Sequence, residues 1–460
     1  MLFHSTRGQS DPMKFTDAVR AGLADDGGLF VPERLPDLSS RLTEITAGSY
    51  VDLAEAIFRE FATDIPAADL RALIEKTYAP DVFPDGVSPI QPAGNLHIQE
   101  LFHGPTLAFK DVALQWLGNL FEYILATRGG EMTVLAATSG DTGSAAIAAL
   151  GGRENLSLFV MHPAGRISPL QYRQMTTAPD ANVHNLAVEG TFDDTQHILK
   201  MLNADADFKQ RVSLGAVNSV NFARILAQIV YYFDAWKQLG RPDRFRVSVP
   251  TGNFGDILAG YYAKQMGLPI ERLILATNDN DILARFFDCG IYSRGDVFAT
   301  LAPAMDIQVA SNFERYLFER VGRDGKELRW LMDSFAKTGE MALPKDAAAD
   351  ELFYAVSANE TQILDTIHDL YDATGYVADP HTAVGVFAAN QFHIAHDETV
   401  PMVCLATAHP AKFPDAIARA TGRSDLASHP TLDALADLPA RCTTIPADQT
   451  AVRHFIEEHL

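Results

Sequence analysis

Five stretches of this sequence share one pattern: a short apolar run, a loop carrying Gly, Pro or Asn, then a helix-forming run rich in small residues. They are EMTVLAATSGDTGSAAIAALGG, NLSLFVMHPAGRISPLQYRQM, RFRVSVPTGNFGDILAGYYAKQMGLP, RLILATNDNDILARFF and PMVCLATAHPAKFPDAIARATG. Strands that alternate with helices predict an α/β fold with largely parallel sheets. Ligands of such sheets sit beyond the carboxyl ends of the strands. Each of the five loops lies at such an end, so these loops are where function is expected.

The chain has 460 residues, 47% of them hydrophobic, enough for a large core and roughly two to four domains. A formal net charge of −22 disfavours nucleic acid and anionic membranes as partners. The three cysteines, Cys289, Cys404 and Cys442, are far apart and form no CxxC, which fits a reducing compartment without a structural zinc. The opening MLFHSTRGQSDP has no apolar core region, and no apolar run approaches bilayer length, so the expected location is the cytoplasm. No cluster of His, Asp and Glu has metal-ligand spacing. The oligomeric state is left open. Before the repeated units, KFTDAVRAGLADDGGLFVPERLP reads as a helix, a tight turn and a short extended piece, and AADLRALIEKTYA as a further helix. FPDGVSPIQPAG reads as a linker. The expected domains are 1–92, 93–430 and a C-terminal extension, 431–460.

One lysine stands out. In LFHGPTLAFKDVALQWLGN, Lys110 shares a helical face with Leu114, Leu117 and Phe121, while Asp111, Gln115 and Glu122 fall on another face. Lys110 is therefore expected to point toward the core. A buried lysine is either paired with a carboxylate or used as an amine nucleophile, unless it snorkels to water along its own stem. Two of the loops look like anion cradles. Thr251-Gly252-Asn253-Phe254-Gly255-Asp256 follows a strand and opens a helix, so its backbone N–H groups can converge on a phosphate. Neither loop has the Walker A or the dinucleotide pattern. A phosphate cradle and a core-facing amine together point to pyridoxal phosphate held as a Schiff base. An anion-binding protein without catalysis is the rival of another class.

The motifs HGPTLAFKD, ATSGDTGSAA, VPTGNFGD, PAMDIQVASNFER and TAHPAKFP, with STRG and DGGLFVP near the start, resemble the threonine synthase family in order along nearly the whole chain. The resemblance implies two α/β lobes clamping pyridoxal phosphate, as in the tryptophan-synthase-β-like group, with an added N-terminal domain. The smaller lobe would span about 112–215. It implies conversion of O-phospho-L-homoserine and water to L-threonine and phosphate. The alternative is a related pyridoxal-phosphate lyase that eliminates phosphate from an amino-acid phosphoester without making threonine. Lys110 would carry the cofactor and serve as base and acid. Gly252, Asn253, Phe254 and Gly255 would hold the cofactor phosphate. Asp141 would lie near the ring hydroxyl, and Thr407 would face the ring nitrogen. Ser139, Gly140, Thr142 and Gly143 would bind the substrate carboxylate. In HPAGRISPLQYRQ, Arg166 and Ser168 would bind the substrate phosphate; Arg173 reads equally as a solvated basic residue. Asp256 would turn away from the phosphate. His103, His381 and His409 are expected to support rather than catalyse.

Overall fold

The computed structural model describes residues 1–138, 140–343, 349–396 and 399–460. The larger sheet has the strand order Phe353–Ser357, Ile270–Thr277, Phe245–Pro250, Met402–Ala406, Leu96–Glu100, Ile90–Ala93. Its first five strands are parallel. The two central strands are buried along their whole length, as expected for a parallel sheet covered on both faces. The smaller sheet is all parallel, in the order Thr443–Pro446, Val183–Glu189, Leu156–Pro163, Met132–Ala137, Leu214–Gly215. All five repeated units fold as a strand followed by helix, so the α/β reading holds.

The N-terminal region adds a small antiparallel sheet, Met13–Lys14, Leu2–Ser5 and Phe30–Pro32. The helices Phe15–Ala21, Tyr50–Phe61 and Ala67–Thr77 accompany it. Tyr50–Phe61 starts with a reciprocal cap between Ser49 and Asp52. Among the described residues no helix is long and apolar enough to cross a membrane.

Two expectations are corrected. Within FPDGVSPIQPAG, Ile90–Ala93 is a strand, antiparallel to Leu96–Glu100. Its Pro92 is tolerated because the strand lies at the sheet edge, where no partner needs the missing N–H. The second concerns the helix Lys110–Arg128, which lacks the solvent face expected at Asp111 and Gln115. Both side chains are buried, as are most residues up to Leu125. The helix is packed by Ala67–Thr77, Asp141–Leu150 and Phe222–Gln238, and a helix covered on all sides buries its polar positions too. Glu122 alone of the three reaches the surface, where it pairs with Lys76 and Arg153.

Candidate active site

The turn before Lys110 is shaped by Asp111, whose carboxylate accepts from the N–H and hydroxyl of Thr106, each at 2.8 Å. Burial, opposed by these bonds, pushes its carboxyl up to about 6. Leu107 is left-handed at φ 59°. The turn is stitched to the end of strand Met402–Ala406: the Phe109 N–H donates to the Thr407 carbonyl at 2.8 Å, and that of His409 donates to Leu107 at 3.1 Å. Strand end and helix start therefore position Lys110 together.

Lys110 Nζ lies 3.7 Å from Asp141 Oδ2. Lys412 Nζ lies 2.9 Å from Asp141 Oδ1 and donates to the Thr106 carbonyl at 2.8 Å. All three side chains are buried. The Gln171 amide reaches Asp141 Oδ1 at 3.4 Å. Burial lowers the Lys110 amine below the ordinary lysine value, with Lys412 and Arg224 adding to the effect and Asp141 opposing it. Burial would raise Asp141, but the two lysines outweigh it and hold the carboxyl well below the usual range. The core-facing reading of Lys110 thus holds: a buried amine that gives up its proton more readily than an ordinary lysine stands beside a fixed carboxylate.

The loop Thr251–Asp256 packs against Ala304–Met305, which in turn meets His381. Gly252 lies so close to the Ala304–Met305 backbone that a Cβ would sit 3.0 Å from the Ala304 carbonyl. The Ala304 N–H donates to His381 Nε2 at 3.2 Å, so the His381 proton is on Nδ1, 2.8 Å from Asp379. Phe254 is left-handed at φ 63° and caps the helix Gly255–Gln265. Its ring turns into a nest of Phe287, Phe313, Tyr316 and Phe353. Only the Phe254 backbone is then free for an anion. The Asn253 carbonyl accepts from Asn312 at 3.0 Å. A glycine-lined helix N-terminus and a buried amine lowered by burial fit the phosphate and the aldehyde of pyridoxal phosphate.

Asp256 sits one residue into that helix. Its Oδ1 accepts from Tyr231 at 2.5 Å and Tyr232 at 3.0 Å, and its Oδ2 is buried without a partner among the described residues. Burial outweighs both tyrosine bonds and pushes its carboxyl up to about 6.

In the second loop the Thr138 hydroxyl accepts from Gly140 and Gly143, both at 3.1 Å. A Cβ on Gly140 would strike the Gln171 amide, and one on Gly143 would strike Thr138 and Met175. Thr142 is partly exposed beside them. Ser139 lies outside the described residues. Arg166 is exposed and Ser168 caps the helix Pro169–Thr176 by accepting from Gln171 at 3.2 Å. Of this segment, Gln171 is the side chain that touches the lysine cluster. Arg173, partly exposed, donates to the carbonyls of Leu435, Ala436 and Leu438. Thr407 is buried, and its N–H donates to Thr382 Oγ1 at 3.3 Å. His103 and His409 line a separate cavity of about 430 Å³ with Glu100, Tyr376 and His429. Burial and the neighbouring histidines push His409 down to about 4.

Two buried cations were absent from the sequence reading. Lys412 lies in TAHPAKFP between apolar neighbours, the same signal that singled out Lys110. Arg224 lies within the apolar helix Phe222–Gln238; it donates to the Val217 carbonyl at 3.0 Å while its Nε has no partner among the described residues. Burial lowers its guanidinium to about 10. A buried guanidinium with a donor to spare suits an anionic ligand.

Comparison with known proteins identifies the family. A model described as "Threonine synthase N terminus" matches residues 2–78, "Pyridoxal-phosphate dependent enzyme" matches 86–407, and "Threonine synthase, C-terminal" matches 382–456. The threonine synthase of Pseudomonas aeruginosa is 47% identical, with 100% of this chain and 98% of that one covered. The crystal structure of a PLP-bound threonine synthase from Brucella melitensis superposes with a TM-score of 0.95 at 44% identity, covering 100% and 99% of the two chains. The yeast threonine synthase structure gives 0.94 at 42% identity, covering 100% and 98%. With its whole length matched, the chain belongs to the threonine synthase family of pyridoxal-phosphate-dependent enzymes.

Proposed function

We propose that this protein converts O-phospho-L-homoserine and water to L-threonine and phosphate, with pyridoxal phosphate attached at Lys110, and that it does so in the cytoplasm. The observation that carries the reading is the buried Lys110 amine, lowered by burial and set 3.7 Å from an ionised carboxylate. When bound, the cofactor supplies the electron sink for carbanion character at the substrate's Cα and Cβ. The chain's own groups do the rest. Gly252, Asn253, Phe254 and Gly255 would hold the cofactor phosphate through backbone N–H groups. Thr407, at the end of its strand, would meet the ring nitrogen with a neutral hydroxyl, and Asp141 would lie near the ring hydroxyl. Lys110 would take the proton from Cα and, once it has passed that proton on, the proton from Cβ, each time as an ammonium stabilised by Asp141. Phosphate would leave from Cγ with the Cβ proton, Cγ would receive the proton first taken from Cα, and water would add its hydroxyl at Cβ and its proton at Cα. Ser139, Gly140, Thr142 and Gly143 would bind the substrate carboxylate.

The substrate phosphate must be held against a formal net charge of −22. Arg166 and Ser168 remain proposed for this, with Arg224 as a buried alternative. Arg166→Ala should lower kcat/KM at least about tenfold while leaving cofactor binding unchanged. An unchanged kcat/KM would move the assignment to Arg224. The reaction itself is tested by incubating purified protein with O-phospho-L-homoserine. Threonine and phosphate are the expected products; a keto acid and ammonia would point to a lyase of another kind.

A further inference from the structure

We propose that Lys412 is a positioning residue for this chemistry: its buried ammonium occupies Asp141 Oδ1 and so leaves the Lys110 amine without a tight ion pair. This rests on Lys110 being the cofactor lysine. The geometry is asymmetric. Lys412 holds Asp141 at 2.9 Å and is itself anchored by the Thr106 carbonyl at 2.8 Å, whereas Lys110 stands 3.7 Å from the other carboxylate oxygen. Lys412 thereby bridges the loop after strand Met402–Ala406, the turn before Lys110 and the first residue of helix Asp141–Leu150. It does not act on substrate; it divides the charge of one carboxylate between two amines.

The charged groups that act on Lys110 are Asp141, Lys412, Arg224, Asp111 and Asp256. Those that act on Asp141 are the two lysines and His381. With Lys412 removed, Asp141 has one cation left to pair with, and Lys110 is held as an ammonium. An ammonium cannot attack an aldehyde, so attachment of the cofactor slows at neutral pH and recovers at high pH. Lys110 also loses part of its capacity as a base.

The test uses the full-length chain freed of cofactor. Pyridoxal 5'-phosphate is added from roughly pH 6 to pH 10, a span that covers ordinary and depressed lysines. The Lys110 adduct is trapped with borohydride and counted by peptide mass. Lys412→Met should move the midpoint of the rate-versus-pH curve upward, making trapping about tenfold slower at neutral pH and equal to the parent at high pH. Lys412→Arg should stay near the parent. Asp141→Asn should move the midpoint downward, and the double variant should return toward the parent. A purely structural role for Lys412 predicts lower thermal stability with an unmoved midpoint, and that result overturns the proposal. Should Lys412→Met fail to fold, an unmoved or raised midpoint in Asp141→Asn overturns it equally. A parent chain that gives no adduct at Lys110 overturns the underlying reading and the proposal together.

Discussion

Asp141 and Asp256 occupy matching places in two of the repeated units. Each follows a glycine loop at the end of a parallel strand, each lies in the first turn of a helix, and each is buried. Their electrostatics are opposite. Asp141 meets the Lys412 ammonium and the Lys110 amine and is held ionised, whereas Asp256 meets two tyrosine hydroxyls and is pushed up to about 6. Burial acts on both in the same direction. The partner decides: a full positive charge at 2.9 Å outweighs desolvation, and two neutral donors do not. One unit presents a permanent anion to the amine. The other engages its carboxylate with two tyrosines of the helix Phe222–Gln238.

The largest test of this contrast removes the amine itself. Lys110→Ala should abolish the borohydride-reducible link and essentially all turnover, while Asp141 stays paired with Lys412. A variant that retains both link and turnover would show that the cofactor is carried elsewhere. Next, Asp141→Ala should leave the buried Lys412 ammonium without its carboxylate and cost about 3–5 kcal/mol of stability, measured by urea denaturation. The equivalent change at Asp256, whose bonds come from two neutral tyrosine hydroxyls, should cost less, and equal losses would erase the distinction.

The pH dependence of stability sharpens the comparison further. The folded-state value of Asp256 is raised from 3.8 to about 6, so the native state holds a proton that the unfolded chain releases. Its contribution is present at low pH and lost as pH rises from about 4 to 6, by about 3 kcal/mol for a shift of roughly two units. Relative to Asp256→Asn, the parent should therefore lose stability as pH rises through that window. Asp141 has the opposite sign: its folded value is depressed, so its contribution is present at neutral pH and is lost only on acidification below the usual carboxylate range. Parallel curves for parent and Asp256→Asn would remove the basis of the contrast. The smallest expected effect is at Thr407, whose hydroxyl stays neutral. Thr407→Val should lower kcat more than it raises KM, and an unchanged cofactor spectrum with unchanged kcat would deny the hydroxyl any role at the ring.

Local pattern was enough to read Lys110, the glycine loops and the alternation of strands and helices, because each depends on residues within a few turns of one another. It was not enough for Ile90–Ala93, where prolines concealed an edge strand, or for Thr443–Pro446, which pairs with a strand formed far earlier in the chain. Lys412 was passed over for a related reason. Its meaning lies in the Thr106 carbonyl, 306 residues away in sequence, and in a carboxylate on a third element.

What the sequence by itself determined, then, is where the chemistry-bearing groups lie along the chain: a lysine among apolar residues, glycines at strand ends, an aspartate at each helix start. What only the tertiary structure decided is their charge. Apolar periodicity and glycine's backbone freedom are local, so they can be read in order along the chain. Ionisation of a buried group depends on which charges the fold brings within a few ångströms of it. Asp141 and Asp256 have similar local contexts, and long-range packing made one a fixed anion and the other a carboxyl that protonates near pH 6.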